Sequence, residues 1–139
     1  MNGVEGQAAN RPKRIPEQPV LLVKWYDHTK WLLERVEQFP KNQRFVLGTR
    51  LADLAVEVLE DLVEAAYAGR PRKVDLLAKV NRRIEVARWL VRLARDRHIL
   101  SNAQLGFSSR ALEECGRMVG GWLRSLTRPG TTGAAGESK

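Results

Sequence analysis

Apolar positions recur at intervals of three and four residues through most of the chain, with polar positions between them. This spacing is the period of an α-helix, and no stretch of alternating apolar and polar residues is long enough to predict a β-strand. Prolines, glycines and polar clusters divide the pattern into four segments. We therefore expect an all-α protein of four helices.

The first two predicted helices are separated by Phe39-Pro40. The first runs from about Val20 to Gln38, because the residue before a proline disfavours helical geometry. The second runs from near Asn42, a candidate N-cap, to Gly69. The predicted core positions are Leu22, Trp25, Thr29, Leu32 and Val36 in the first helix and Phe45, Leu51, Leu54, Ala55, Val58, Leu59, Leu62 and Ala66 in the second.

The third helix is expected to begin near Pro71, which a first helical turn tolerates, and to end around His98. Ser101 and Gln104 form a candidate capping box for the fourth helix, although Gly106 is expected to delay its regular part until about Ser108. The predicted core positions are Leu77, Val80, Ile84, Ala87, Val91 and Ala94, a heptad seam, in the third helix and Leu112, Cys115, Val119, Trp122 and Leu126 in the fourth.

Short connections between these helices favour antiparallel neighbours and an up-down-up-down four-helix bundle. The length of 139 residues suits a single domain. We expect residues 19–127 to form the bundle. Residues 1–18 and 128–139, which are rich in Gly, Pro and polar residues, are expected to be flexible tails.

Charge is distributed unevenly along a chain whose net charge is +8 and whose pI is about 10.2. Residues 51–69 contain five acidic and no basic residues, whereas residues 70–98 contain ten basic and three acidic residues. Neighbouring second and third helices would neutralise part of this charge and leave the remaining arginines as an outward positive field. Such a field indicates a polyanionic partner such as nucleic acid.

Arginine dominates the basic positions, and its planar fork suits bidentate contact with phosphate. A plain solvated face is the alternative for the third helix, and chance spacing is the alternative for the seven-residue repeat of arginines in the fourth. The basic residues in question are Lys79, Arg82, Arg83, Arg88, Arg92, Arg95 and Arg97 in the third helix and Arg110, Arg117 and Arg124 in the fourth.

Three glycines in six positions interrupt the fourth helix, and each costs about 1 kcal/mol relative to alanine. Gly116 and Gly120 share a strip with Ser109 beside the core, where small residues let another helix approach closely. Gly121 falls on the arginine side. We interpret these positions as a packing or oligomer interface, with homo-oligomer formation as the economical explanation.

Candidate reactive groups are few. His28 and His98 lack the Glu-x-x-His spacing of helical metal centres, and no glycine-rich phosphate loop is present, so we predict no metal or cofactor. The lone Cys115 and the absence of a signal or spanning segment favour a cytoplasmic protein with no membrane partner. One enzymatic alternative is open, because Arg92 and His98 resemble the spaced pair of HEPN-family ribonucleases. The alternative interpretation is that His98 lies at the C-terminus of the third helix, where a partial positive charge interacts favourably with the helix dipole.

Two separated motifs carry a family resemblance. "ERVEQFPKNQRFVLGTRL" and "LEECGRMVGGWLRSL", with "RRIEVARWLVRLARDRHILS" between them, resemble the accessory variability determinant (Avd) proteins of diversity-generating retroelements over about residues 19–127. A broader group of four-helix bundles from intervening sequences of 23S rRNA genes is similar. The residues that match the two motifs are Phe39, Pro40, Arg44, Phe45, Leu47 and Gly48 in the first and Gly116, Arg117, Gly120, Gly121 and Trp122 in the second.

The resemblance implies a basic four-helix protomer that assembles into a barrel-shaped homopentamer. It further implies binding to a reverse transcriptase, to template-repeat RNA and to cDNA or other DNA, in support of mutagenic cDNA synthesis and without chemistry of its own. An orphan bundle acting as a protein scaffold is the alternative. The candidate contact residues for nucleic acid or reverse transcriptase are Arg44, Lys79, Arg82, Arg83, Arg88, Arg92, Arg95, Arg110, Arg117 and Arg124.

Overall fold

The computed structural model describes residues 19–127, a range that contains four helices and no strand. This confirms the all-α prediction, while the predicted tails, residues 1–18 and 128–139, lie outside the described residues. The helices are α1 (Pro19–Glu37), α2 (an α-helical turn at Lys41–Gln43, a π-helical segment at Arg44–Gly48 and an α-helix at Thr49–Tyr67), α3 (Arg70–Asp96) and α4 (Asn102–Thr127).

The four helices enclose a single hydrophobic core. Each helix packs against the next one along the chain, and α1 also packs against α4. All six residues of the predicted α3 seam are buried, as are Leu112, Cys115, Val119 and Trp122 of α4. The helical period therefore identified the inward face of these two helices correctly.

Trp25 anchors α1 in the core. Its ring is fully buried, and its Nε1 donates a hydrogen bond of 2.9 Å to the carbonyl oxygen of Ala55 in α2. The bond satisfies the one polar atom of a large side chain that would otherwise be costly to bury. Beside it, Leu21 takes the fully buried position, whereas the predicted Leu22 is only partly buried.

The predicted core position of Phe45 is wrong. Phe45 lies in the π-helical segment of α2 and is 70% exposed, while Leu47 faces the core from the same segment. A Cβ at Gly48 would lie 2.9 Å from Cγ1 of Val36 and 3.4 Å from Cδ2 of Phe39. Glycine at 48 therefore lets this segment pack closely on the end of α1, and Phe45 is directed outward.

The starts of two helices differ in how well the sequence predicted them. α2 begins at Lys41 with Pro40 in the N-cap position and no side-chain cap, so the N-cap role of Asn42 is wrong. The capping box of α4 is confirmed, because Ser101 N donates to Gln104 Oε1 at 2.9 Å and Gln104 N donates to Ser101 Oγ at 3.0 Å. These bonds secure the first turn, and the predicted delay at Gly106 does not occur.

α3 ends two residues before the predicted end, in a Schellman motif centred on His98. The N–H of His98 donates to Arg95 O and the N–H of Ile99 donates to Ala94 O, both at 2.8 Å. His98 has a φ of 63°, the left-handed conformation that glycine usually supplies at this position. The motif turns the chain toward the capping box of α4.

Candidate nucleic-acid interface

Three ion pairs join the acidic side of α2 to α3, which confirms the predicted partial neutralisation. Each is at least partly exposed and worth up to about 1 kcal/mol. Lys79 and Arg83 are therefore directed toward α2 and away from an external anion. The pairs are Glu57 Oε1 with Arg83 Nη1 at 3.2 Å, Asp61 Oδ2 with Lys79 Nζ at 3.4 Å, and Glu64 Oε2 with Arg72 Nε at 2.8 Å.

Three other candidate residues form ion pairs with carboxylates of their own helix. These contacts are exposed, so they hold the guanidinium groups only weakly. The pairs are Arg88 Nε with Glu85 Oε1 at 3.6 Å, Arg95 Nε with Asp96 Oδ1 at 2.9 Å, and Arg117 Nη1 with Glu113 Oε2 at 3.5 Å.

The other five candidate residues have no carboxylate within 4.0 Å among residues 19–127. Arg44 donates from Nη2 to the carbonyl oxygen of Phe39 at 3.3 Å, and the guanidinium of Arg92 lies 4.9 Å from the ring centroid of Trp89. We call these five residues the unpaired set, because within the described range no carboxylate holds them. Its members are Arg44, Arg82, Arg92, Arg110 and Arg124.

The structure does not bring the ten candidate residues together at one place. Arg83 lines a groove of about 380 Å³ between α2 and α3. Arg88 and Arg92 line a groove of about 360 Å³ between α3 and α4, and Arg110 lines one of about 420 Å³ between α1 and α4. A positive surface spread over several grooves is better suited to an extended polyanion than to one small anion.

Trp89 is a candidate contact residue that sequence reasoning missed. It lies on the outer side of α3 with 60% of its surface exposed, and it lines the same groove as Arg88 and Arg92. The signal was present in the sequence as an aromatic residue between arginines of the most basic segment. Interleaved aromatic and basic side chains are typical of single-stranded nucleic-acid sites.

The three glycines of α4 have different surroundings. A Cβ at Gly116 would lie 3.1 Å from Arg88 Nη2 and 3.7 Å from Ile84 Cγ2, so this position lies against α3. At Gly120 and Gly121 the nearest side-chain atoms belong to Arg124 of the same helix, at 3.5 and 3.8 Å. Gly116 therefore serves packing within the bundle, and the oligomer role of these glycines stays a prediction.

Two buried groups have pKa values that keep them neutral near pH 7. Burial lowers the pKa of His28 to about 4, and its Nε2 lies 2.9 Å from Ser108 Oγ. Burial also raises the pKa of the Cys115 thiol to about 11, with the Glu114 carboxylate adding to the effect. A neutral imidazole and a protonated thiol inside the core are packing groups, since the reactive thiol form is the thiolate.

The two residues of the ribonuclease alternative have separate surroundings on α3 and at its end. Arg92 stacks on Trp89, and His98 occupies the left-handed position of the α3 terminus. Within residues 19–127 no group of three or more His, Cys, Asp or Glu side chains is placed to hold a metal ion. None of the helices described is long and apolar enough to cross a membrane.

A family model described as bAvd-like matches residues 19–126, which is most of the chain. The chain belongs to the bAvd-like family. The match spans both motif regions and confirms the resemblance to Avd proteins. Membership indicates an accessory protein of a diversity-generating retroelement, and proteins of this family are generally non-catalytic. No curated protein and no solved structure matched the chain.

Proposed function

We propose that this protein binds nucleic acid and a reverse transcriptase, and thereby supports mutagenic cDNA synthesis from template-repeat RNA in the cytoplasm. Family membership supports the retroelement setting. The unpaired arginine set carries the nucleic-acid part of the proposal, because these guanidinium groups have no carboxylate partner among residues 19–127 to give up when phosphate binds. Phosphate contacts supply most of the affinity of such proteins and make it depend on salt.

The proposal includes an up-down-up-down protomer. The order of contacts supports this topology, since residue numbers rise along one helix as they fall along its neighbour. Glu57 pairs with Arg83 and Glu64 with Arg72 across α2 and α3. The same order holds across α3 and α4, where Arg70 donates to Leu126 O and Arg95 Nη1 donates to Asn102 Oδ1.

The protomer is further proposed to assemble into a homopentamer. Several large apolar side chains are exposed on its outer surface, and such patches are typical of protein interfaces. Phe45 and Val46 on the π-helical segment are the most exposed of them. Light scattering is expected to give a mass five times that of the 15.7 kDa protomer. A monomer mass across a wide concentration range would contradict the pentamer.

Binding to nucleic acid is tested with two matched double variants. Arg82→Gln/Arg110→Gln removes two unpaired arginines, one each from α3 and α4. Arg83→Gln/Arg117→Gln removes two ion-paired arginines from the same helices and changes the net charge equally. Binding of a single-stranded RNA is measured by fluorescence anisotropy over a range of salt concentrations.

The first variant is expected to reduce the slope of log K against log salt by about 1.4, since each phosphate contact on a single strand contributes about 0.7. The control variant is expected to change it by much less. Equal effects of the two variants would refute the role of the unpaired arginine set. Absence of wild-type binding at low salt would refute nucleic-acid binding altogether.

The reverse transcriptase is tested separately by co-purification. A reverse transcriptase encoded near paired variable and template repeats in the same genome is the partner to express with this chain. A stable complex after nuclease treatment supports direct protein contact. Loss of the complex on nuclease treatment would show that nucleic acid alone joins the two proteins.

A further inference from the structure

Trp89 differs from the other tryptophans in being largely exposed. Trp25 and Trp122 are buried, and Trp31 is partly buried against Phe107, with ring centroids 4.8 Å apart. A tryptophan brings a large apolar surface that normally contributes to a core or an interface. The ring of Trp89 therefore has a surface available for a partner outside the bundle.

The surroundings of Trp89 combine a flat surface with positive charge. The guanidinium of Arg92, which belongs to the unpaired set, lies 4.9 Å from the Trp89 ring centroid. One turn earlier, Arg88 lies over the bare backbone at Gly116. The absence of a side chain at 116 leaves room for the Arg88 guanidinium group, which lines the α3–α4 groove.

Polar groups capable of recognising a base line the same groove. Glu85 and Glu113, which pair with Arg88 and Arg117, have further carboxylate lone pairs that accept hydrogen bonds from a ring N–H or an amino group of a base. Ser109 presents a hydroxyl group to the same groove. The volume of about 360 Å³ is within the range of small-ligand sites. An aromatic ring, two guanidinium groups and acceptor oxygens together match a nucleobase with its flanking phosphate.

We propose that Trp89 and Arg92 bind an unpaired base of single-stranded nucleic acid, with the base stacked on this pair and its flanking phosphate on a guanidinium group of the groove. The inference deepens the proposed function and rests on it. Bases in a duplex have both faces covered by their neighbours, so only an unpaired base can stack here. The site thus selects single strands, whereas the unpaired arginine set alone binds any polyanion.

The test compares three probes of equal phosphate count: an oligouridine RNA, an oligothymidine DNA and a hairpin duplex. Trp89→Ala is expected to weaken single-strand binding about 5- to 150-fold, as truncation of a stacking aromatic does, and duplex binding by less than about twofold. Trp89→Phe retains an aromatic face and is expected to recover most of the affinity. Tyr67→Ala, which removes another exposed aromatic residue from α2, is the matched control.

Each outcome decides the inference. Loss of binding to both single strands supports a site that reads the base alone, and loss confined to RNA supports one that also reads the ribose. Equal loss for single strands and duplex overturns it, as does wild-type binding by Trp89→Ala. A change only in oligomer mass shows that Trp89 contacts a second protein copy and also overturns it. If the wild type binds no probe at low salt, the proposed function itself fails.

Discussion

The buried His28 should make the stability of this protein fall as the pH is lowered. Its side chain is 3% exposed, Nε2 faces Ser108, and Nδ1 has no hydrogen-bond partner among the described residues. Burial lowers the folded-state pKa from 6.5 to about 4. Between these values the unfolded chain binds a proton that the folded protein does not, so protonation favours unfolding.

The size of the effect follows from the two pKa values. With about 1.4 kcal/mol per pH unit at most, lowering the pH from 7 to 5 should reduce the free energy of unfolding by about 2 kcal/mol through His28 alone. Urea unfolding followed by circular dichroism at both pH values measures this loss. The protein concentration must be kept constant, since any self-association would also stabilise the folded chain.

His28→Gln isolates the contribution of the imidazole. Glutamine keeps an amide that can hydrogen-bond to Ser108 but has no titratable group, so the variant should lose about 2 kcal/mol less than the wild type over this pH range. Titration of carboxylates affects both proteins alike and cancels in the comparison. The reasoning is refuted if His28→Gln and the wild type lose equal stability.

Three sets of substitutions test the packing and turn geometry by urea unfolding. Gly48→Ala should lower the free energy of unfolding by about 1 kcal/mol, because overpacking against Val36 outweighs the gain in helix propensity. In a Val36→Ala background, Gly48→Ala should no longer lower it. An unchanged cost in that background would contradict the proposed clash. His98→Gly should stabilise the protein by up to about 1 kcal/mol by relieving the left-handed conformation, and a destabilised variant would show that this strain is absent. Gly116→Leu should destabilise the protomer by about 1–3 kcal/mol and Gly120→Leu by much less, so equal losses would contradict their different surroundings.

Features determined by neighbouring residues in the chain were predictable. The α3 seam follows from the period of the helix, and the bonds between Ser101 and Gln104 depend on one turn of backbone. Phe45 was misplaced because a π-helical turn changes the angular position of the residues within it, and its apolar character alone gave no warning. Its position depends on close packing between Gly48 and Val36, which lie in different helices.

The candidate site was only partly predictable for a related reason. Charge segregation predicted that α2 would neutralise part of α3, but not that it would pair with Lys79 and Arg83 and leave Arg82 unpaired. That choice depends on the side of α3 that faces α2, a property of the tertiary packing. The exposure of Trp89 likewise depends on how far α4 covers α3. Family motifs identified the fold more readily than the contact residues.

The ion pairs between α2 and α3 also affect the route that a bound strand can take. Three carboxylates of α2 pair with basic residues on the side of α3 that faces α2, where the phosphates of a nucleic acid would otherwise bind. They belong to Glu57, Asp61 and Glu64. A strand lying there would have to displace these carboxylates and would gain no additional charge contacts in exchange. If the protein binds a polyanion as proposed, the carboxylates of α2 compete with it for this side of α3 and leave the side next to α4 accessible.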